Sequence, residues 1–359
     1  SLQPSAIPQA NRRDGPAAVI EPVLADVPLF FSRMLNYAPS WYCASRCRHC
    51  CVPLKARRQD GFDLSIAKRL VRELPEYVRV VGLTGGEPLS VPERFLKLIE
   101  MVHRAARSSI VVTHAYRVLS LGDWQGFFLE AQKLGLMSIS LSVDDYHRPA
   151  VPEDALVQLV MELHEMGFQI HLKGTGVNSR KTIRRIRGRA GFKGRVAVTE
   201  TANLDNVGSA RKLKRDRIRR PERRSCVGIL SPLVTPGGDL MACCSSYLEE
   251  MSDTMIRRGN IRSKSLRTLL DEYSKDFLVG AIAYFGPFAL RKLVGAREIP
   301  GDPSRCRACM TTLRDRDFMA RLRGRLVESK SLRKQIAGAL LAYEKFYRPR
   351  FIDIAEWDV

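Results

Sequence analysis

The sequence predicts an α/β protein: a partial barrel of six strand–helix units, then a small cysteine-bearing domain and a helical tail. Three observations carry this. Strand-like and helix-like segments alternate steadily from about residue 40 to about residue 215. The strand segments are apolar runs without strict polar alternation, as in a parallel sheet covered by helices. After Pro221 the rhythm changes to turns, cysteines and longer helices. Six units suit a curved, partly closed sheet; pattern alone leaves an open doubly wound sheet as the alternative. In both, the active site lies at the C-terminal ends of the strands.

The elements follow in order. Residues 1–30 form an N-terminal extension that opens rich in Pro, Ala and polar residues. The barrel spans 31–221. Its first apolar segment starts at Phe31 and ends at Trp41-Tyr42, just before the first cysteines. Leu64 to Leu74 reads as helix. Val78 to Leu83 reads as a buried strand, broken by Thr84-Gly85-Gly86-Glu87-Pro88 because Gly and Pro interrupt regular structure. Helices over Pro92–Ala106, Asp123–Leu134, Pro152–Met166 and Arg180–Arg187 alternate with strands over Ile110–Thr113, Met137–Val143, Phe168–Leu172 and Val196–Thr199. Residues 222–330 form the second domain, opening on a hairpin between Cys226 and Cys244 with Pro-Gly-Gly at its turn. Ser331 to Phe346 is an amphipathic helix within a tail that runs to residue 359.

Composition excludes several classes. No apolar run reaches the length of a membrane span; the longest candidate, Phe277 to Leu290, contains Pro287 and reads as a buried helix or a pocket lid. No secretory pattern opens the chain, which points to the cytoplasm. The formal net charge is +21, which invites an acidic or polyanionic partner but also fits an arginine-rich composition. The excess is concentrated: nine basic and two acidic residues lie between Arg211 and Arg224. No nucleic-acid-binding module accompanies it, so nucleic acid is disfavoured as the partner.

Cysteine is the informative count. The nine cysteines fall into three groups, and in a reducing compartment such groups mean metal or redox chemistry rather than disulfides. The first is Cys43-x3-Cys47-x2-Cys50. Structural zinc wants four ligands, and His49 is awkwardly placed beside Cys50 to be the fourth. Three thiolates on a [4Fe–4S] cluster leave one iron open for a reactant.

This spacing, with Trp41 and His49 around it, resembles the radical S-adenosylmethionine (SAM) enzymes. Gly85-Gly86-Glu87-Pro88 is similar to the family segment that holds the methionine end of SAM, with Glu87 offered to its ammonium group. Ser140-Leu141-Ser142-Val143-Asp144, at the end of the fourth strand, is similar to a segment that places cofactor contacts such as Ser142 and Asp144. The resemblance covers about residues 35–215. It implies that Cys43, Cys47 and Cys50 hold a SAM-binding [4Fe–4S] cluster whose one-electron cleavage of SAM yields a hydrogen-abstracting 5′-deoxyadenosyl radical. A protein reductant such as flavodoxin or ferredoxin would supply the electron. Gly208-Ser209-Ala210 resembles, except at its middle residue, the segment that links barrel to extension.

Cys226, Cys243, Cys306 and Cys309 resemble the ligands of one auxiliary [4Fe–4S] cluster in a twitch domain, the short relative of the SPASM domain. A four-cysteine zinc site is the alternative. Cys51 and Cys244 remain. Cys51 reads as a small buried packing residue. Cys244 adjoins a ligand, so its side chain is expected to turn away from the cluster toward the barrel mouth. His147 is expected at that mouth as a substrate contact or a solvated loop residue.

The resemblance extends to the peptide epimerases that make D-residues in ribosomal peptides. There a cysteine such as Cys244 returns hydrogen to the carbon face opposite the one that lost it. The implied substrate is an acidic precursor peptide, held by Arg211–Arg224 and by the barrel surface, since no leader-recognition domain of about eighty residues precedes Cys43. The alternatives are epimerization or dehydrogenation of a sugar or aminocyclitol, thioether or carbon–carbon crosslinking of a peptide, RNA modification, and a non-catalytic iron–sulfur scaffold.

Overall fold

The computed structural model describes residues 21–344, less 46, 53–61, 145, 148–150, 176, 190–195, 199–206, 214–224, 249 and 301–303. Most of the basic stretch, from Lys214 to Arg224, therefore lies outside the described residues, as do residues 1–20 and the chain end beyond 344.

The described strands form a nine-stranded sheet in the order β6-β5-β4-β3-β2-β1-β7-β8-β9. The first six are β1 (Met34–Tyr37), β2 (Val80–Leu83), β3 (Ser108–His114), β4 (Leu136–Ser142), β5 (Gln169–Lys173) and β6 (Val196–Val198), and all pair in parallel. Each is joined to the next through helix: α1 (Leu64–Arg72), α2 (Pro92–Arg104), α3 (Ala115–Leu119) with α4 (Trp124–Lys133), and α5 (Glu153–Glu165). The helix α6 (Val177–Arg189) lies between β5 and β6. Strand order equals chain order, and right-handed crossovers then put every connecting helix on one face. The sheet is a partial β/α barrel; a doubly wound sheet would reverse its order.

Burial separates the two faces. Val81, Leu83, Val111, Ile139, Leu141, Ile170 and Leu172 are fully buried against the helices. The register partners Asn36, Gly82, Ile110 and Ser138 form one row on the other face, followed by Val112, Ser140 and His171, and then by His114, Ser142 and Lys173. Side chains alternate along a strand, and paired residues share a face. These inner rows turn wholly polar at the C-terminal edge, with His114, Ser142 and Lys173.

The first strand ends at Tyr37, earlier than the expected Trp41-Tyr42. The carbonyls of Ser40 and Tyr42 instead accept the backbone N–H groups of Gly86 (2.9 Å) and Glu87 (2.9 Å), so residues 38–42 turn to clamp the next loop. The short helix α3 was not legible in the sequence. His114 is its N-cap, accepting the N–H of Arg117.

After residue 222 the expected hairpin forms from β7 (Leu233–Val234) and β8 (Asp239–Met241), continued by β9 (Arg257–Asn260). Its β7 pairs in parallel with β1, so the second region extends the barrel sheet. The helices α7 (Leu266–Lys275), α8 (Phe277–Leu293), α9 (Arg305–Arg314), α10 (Arg316–Glu328) and α11 (Lys330–Ala342) follow; α9, α10 and α11 pack against α8, and α7 packs against β9. The apolar stretch is the expected buried helix, kinked at Gly286 (φ 69°) before Pro287, because Pro cannot continue the i→i−4 ladder. Among the described residues no helix is long and apolar enough to cross a membrane.

Candidate active site at the barrel mouth

Cys43, Cys47 and Cys50 line one cavity of about 300 Å³ together with Gly85, Gly86, Glu87, His114, Ser142 and His147. The two strongest sequence segments, separated by more than thirty residues, thus meet at the C-terminal edge of β1 and β2. Both glycines are required. A Cβ on Gly86 would fall 2.2 Å from the Tyr42 carbonyl oxygen, and Gly85 has φ +118° with a Cβ position 2.5 Å from the Ser40 oxygen. Gly86→Ala should therefore destabilise the fold by about 1–3 kcal/mol. Gly188→Ala, whose Cβ meets nothing within 4 Å, should be neutral or slightly stabilising. Urea unfolding of both variants checks this; equal midpoints would refute the clamp.

Three thiols in one wall suit a positively charged metal centre. Burial pushes the Cys43 thiol up to about 11, with Glu87, Cys47 and Cys50 adding to the rise. Bringing three thiolates together here needs a cationic metal centre to balance them. The donor set of three sulfurs beside an open cavity fits a cluster with one open iron.

Glu87 sits behind the cavity floor, 5% exposed. Its Oε1 accepts from Thr113 Oγ1 at 2.7 Å and from the Leu89 N–H at 3.0 Å, and its Oε2 accepts from the His114 N–H at 3.2 Å. These bonds tie the Gly-Gly-Glu-Pro loop to β3. Pro88 opens the following 3-10 turn and is buried. His114 Nδ1 accepts the Arg117 N–H at 3.2 Å, so in the neutral ring Nε2 carries the proton. That nitrogen faces Ser45 Oγ at 3.0 Å and Glu87 Oε2 at 3.3 Å.

Burial drives these two groups in opposite directions. It raises the Glu87 carboxyl to about 7 against its hydrogen bonds, and it lowers His114 to about 4, with His147 and Arg117 reinforcing the fall. A raised carboxyl stabilises the fold fully below its unfolded value and loses that contribution as pH rises through about 7. A depressed imidazole contributes fully above its unfolded value and loses it as pH falls through about 4. Glu87→Gln should thus remove the decline in stability between about pH 4.5 and 7, and His114→Gln should remove the decline below about pH 6.5. Urea midpoints across that range test both; parallel profiles in wild type and variants would contradict the assignment.

Asp144 ends the fourth strand segment. Its Oδ1 accepts from the Tyr146 N–H (3.0 Å) and from His147 Nδ1 (2.9 Å), and its Oδ2 accepts from the Thr175 N–H (3.2 Å). Burial raises its pKa, but His147, His49 and the Tyr146 amide outweigh that and hold it below the usual range. Asp144 lines a smaller adjoining cavity of about 180 Å³ with Tyr116, Ser142, His147 and Arg185. His49 lies 3.8 Å from Asp144 Oδ2, and the His49 and His147 rings meet edge-on at 4.6 Å. His147 is thus a wall of the mouth. Asp145 lies outside the described residues.

The second thiol group also converges. Cys309, Cys244, Cys306 and Cys226 all act on the Cys243 thiol, Cys226 and Cys306 act on Cys309, and Cys226 also acts on Cys244. Burial, then this mutual repulsion, raises Cys243 and Cys309 well above the ordinary thiol range. Cys306 and Cys309 share one face of α9 by their i, i+3 spacing, and the Cys226 N–H bonds to Ala283 of α8 at 3.0 Å. Four sulfurs suit a [4Fe–4S] cluster or a zinc ion.

The two spare thiols depart from each other. Cys51 is exposed and lines the larger cavity, so the expectation of a buried packing residue is wrong. The Cys50–Cys51 backbone is pressed instead against Gly208 and takes the Ser209 N–H on the Cys50 carbonyl at 2.9 Å, which leaves the Cys51 side chain facing out. Cys244 is also exposed. It follows β8, two residues before Ser246 in the cavity wall, and feels the Lys173 charge from the barrel. Sequence reasoning missed Thr113, His114 and Lys173, although each stands at the C-terminal end of a barrel strand, where function concentrates.

Comparisons with known proteins gave the following likenesses. The model of the Radical SAM superfamily matches residues 39–210. The "Putative peptide biosynthesis protein YydG" of Bacillus subtilis (strain 168) is 24% identical over 121 residues, which is 33% of this chain and 38% of the relative's length. Among solved structures, BtrN in complex with AdoMet and 2-DOIA aligns at TM-score 0.43 and 16% identity, over 72% of this chain and 89% of that one. Streptococcus suis SuiB bound to precursor peptide SuiA aligns at TM-score 0.41 and 14% identity, over 72% of this chain and 67% of that one.

Proposed function

This chain is a radical SAM enzyme, and from that premise we propose that it abstracts hydrogen from a peptide or small-molecule substrate at the barrel mouth. Cys43, Cys47 and Cys50 would hold the SAM-binding cluster, with Gly85, Gly86, Ser142 and the neighbouring Asp144 shaping the SAM site. When bound, that cluster and SAM supply the 5′-deoxyadenosyl radical. Glu87 and His114 hold the loop against β3. Cys226, Cys243, Cys306 and Cys309 would hold an auxiliary [4Fe–4S] cluster.

Within this frame the reading is epimerization, and the observation that carries it is the placement of Cys244. Its thiol is exposed beside Cys243, within electrostatic range of Lys173 on a barrel strand as well as of Cys243 and Cys226, and it is not one of the four cysteines proposed as ligands. After Cα–H cleavage, the S–H bond of Cys244 breaks as a new C–H bond forms on the opposite face. The thiyl radical left on sulfur then takes one electron from the reductant protein and a proton from solvent. A relative named for peptide biosynthesis, matched over a third of the chain, supports a peptide as substrate. An acidic precursor would complement the stretch from Arg211 to Arg224, though Arg211 itself is already paired with Glu250 at 3.1 Å.

The convergence of four thiols beside the barrel favours a second reading, dehydrogenation or crosslinking of a peptide or a small cyclic alcohol. An auxiliary cluster would there accept the substrate's electron, and Cys244 would be idle. Product mass in heavy water separates the two. Epimerization adds one mass unit, because the thiol hydrogen exchanges with solvent. A loss of two mass units would instead establish the second reading.

A further inference from the structure

The helices α1 and α2 pack side by side on the outside of the barrel. Each runs back from the C-terminal edge of one strand to the N-terminal edge of the next, so their last turns lie at the end of the sheet opposite the mouth. There they border a groove of about 480 Å³. Residues 62–144, which build it, are described without a break. Its floor is apolar, with Leu74 buried and Val71, Met101 and Ala105 half-buried. The other lining side chains, Lys68, Arg72, Arg104 and Arg107, are all basic.

This basic rim is only partly neutralised. Arg72 meets Glu73 at 3.6 Å and Arg104 meets Glu100 at 2.5 Å, but the two arginines are 74% and 77% exposed, where water weakens an ion pair. Glu73 is also shared with Arg69 and with the Leu266 N–H. Arg107 donates to the carbonyls of Ala105 (3.0 Å), Ala106 (3.0 Å) and Pro75 (3.3 Å). These neutral acceptors fix the guanidinium without cancelling its charge. The turn that carries it is strained, since Ala106 takes φ 55°, in the left-handed region that favours glycine. Positive charge around an apolar floor complements carboxylates alternating with apolar side chains, the pattern of an acidic peptide. Nucleic acid fits less well, because no described aromatic side chain lines the groove to stack a base.

We propose that this groove docks an acidic, partly apolar peptide segment. The inference rests on the reading of a peptide as substrate, the docked segment being the part that stays outside the mouth. The 13 residues of α2 set the groove about 20 Å from the mouth, at about 1.5 Å per residue. An extended chain then needs at least about six residues between the acidic segment and the residue that reacts.

Fluorescence anisotropy of the full-length, cluster-loaded protein with a fluorescein-labelled peptide of repeating Glu-Leu-Glu-Ala tests this. Arg72→Glu with Arg104→Glu should weaken binding by about tenfold, the effect of reversing two exposed charges. Arg321→Glu with Arg325→Glu on α10 changes the net charge equally and should weaken it by less than about twofold, since salt screens distant charges. A peptide of repeating Glu-Ser-Glu-Ala should bind more weakly than the leucine peptide, because it leaves the floor uncovered. If the groove variant does not fold, Arg72→Gln with Arg104→Gln gives the same comparison. Equal binding by wild type and groove variant overturns the proposal. So does an equal loss in the α10 variant, which would reduce the effect to net charge. Tighter binding of a labelled oligothymidine, with the same dependence on Arg72 and Arg104, would overturn it in favour of nucleic acid. If the groove variant loses the probe while wild type modifies no peptide, the reaction reading fails and the groove stands. Peptide modification by a wild type that binds the probe no better than the groove variant would do the reverse.

Discussion

Replacing Cys244 with Ala should abolish inversion while SAM cleavage and iron content stay at wild-type levels. The reasoning is positional. Cys244 is exposed, adjoins Cys243 and feels the charge of Lys173 from the barrel, whereas the four cysteines proposed as ligands are Cys226, Cys243, Cys306 and Cys309. Removing its sulfur deletes a hydrogen donor without removing a proposed ligand. The hydrogen lost by substrate should still appear in 5′-deoxyadenosine, and the unquenched carbon radical should give side products. Cys244→Ser is the more informative companion. Its O–H bond is too strong to give hydrogen to a carbon radical, although it keeps the size and polarity of the site. Chiral analysis of the product decides the matter: full inversion by either variant would overturn the role given to Cys244.

Replacing Cys43, Cys47 and Cys50 together with Ala should abolish SAM cleavage and halve the iron, from about eight to about four atoms per chain if both sites hold [4Fe–4S] clusters. The retained half should disappear when Cys226, Cys243, Cys306 and Cys309 are replaced instead. Iron and sulfide analysis with electron paramagnetic resonance of the reduced protein gives the answer. A wild-type value near four iron atoms with zinc present would assign the second thiol group to zinc. The two thiol groups are independent in the chain: one occupies a loop after β1, while the other joins the hairpin of β7 and β8 to α8 and α9. Loss of one should therefore not empty the other.

Where the chemistry depends on short segments, the sequence was enough. Cys43-x3-Cys47-x2-Cys50 confines three sulfurs to one loop, and Gly85-Gly86 can only be a place of close backbone approach. The alternation from β1 to β6 dictated a parallel sheet with helices outside it, because apolar runs flanked by amphipathic helices have few other ways to be buried. The tertiary structure decided what depends on register and on contacts between distant segments. Strand pairing put Lys173 beside Ser142 and in one row with His114, and no local period encodes that. The helix α9 brought Cys306 and Cys309 to Cys226 and Cys243 across about sixty to eighty residues of chain. Gly208 pressed on the backbone of Cys50 and Cys51, and so exposed a thiol that its residue type alone would bury. The pairing of β7 with β1 joined the second region to the barrel sheet. Burial and charge are properties of what surrounds a side chain, so Glu87 and His114 acquired their opposite shifts only when β3 closed over the Gly-Gly-Glu-Pro loop.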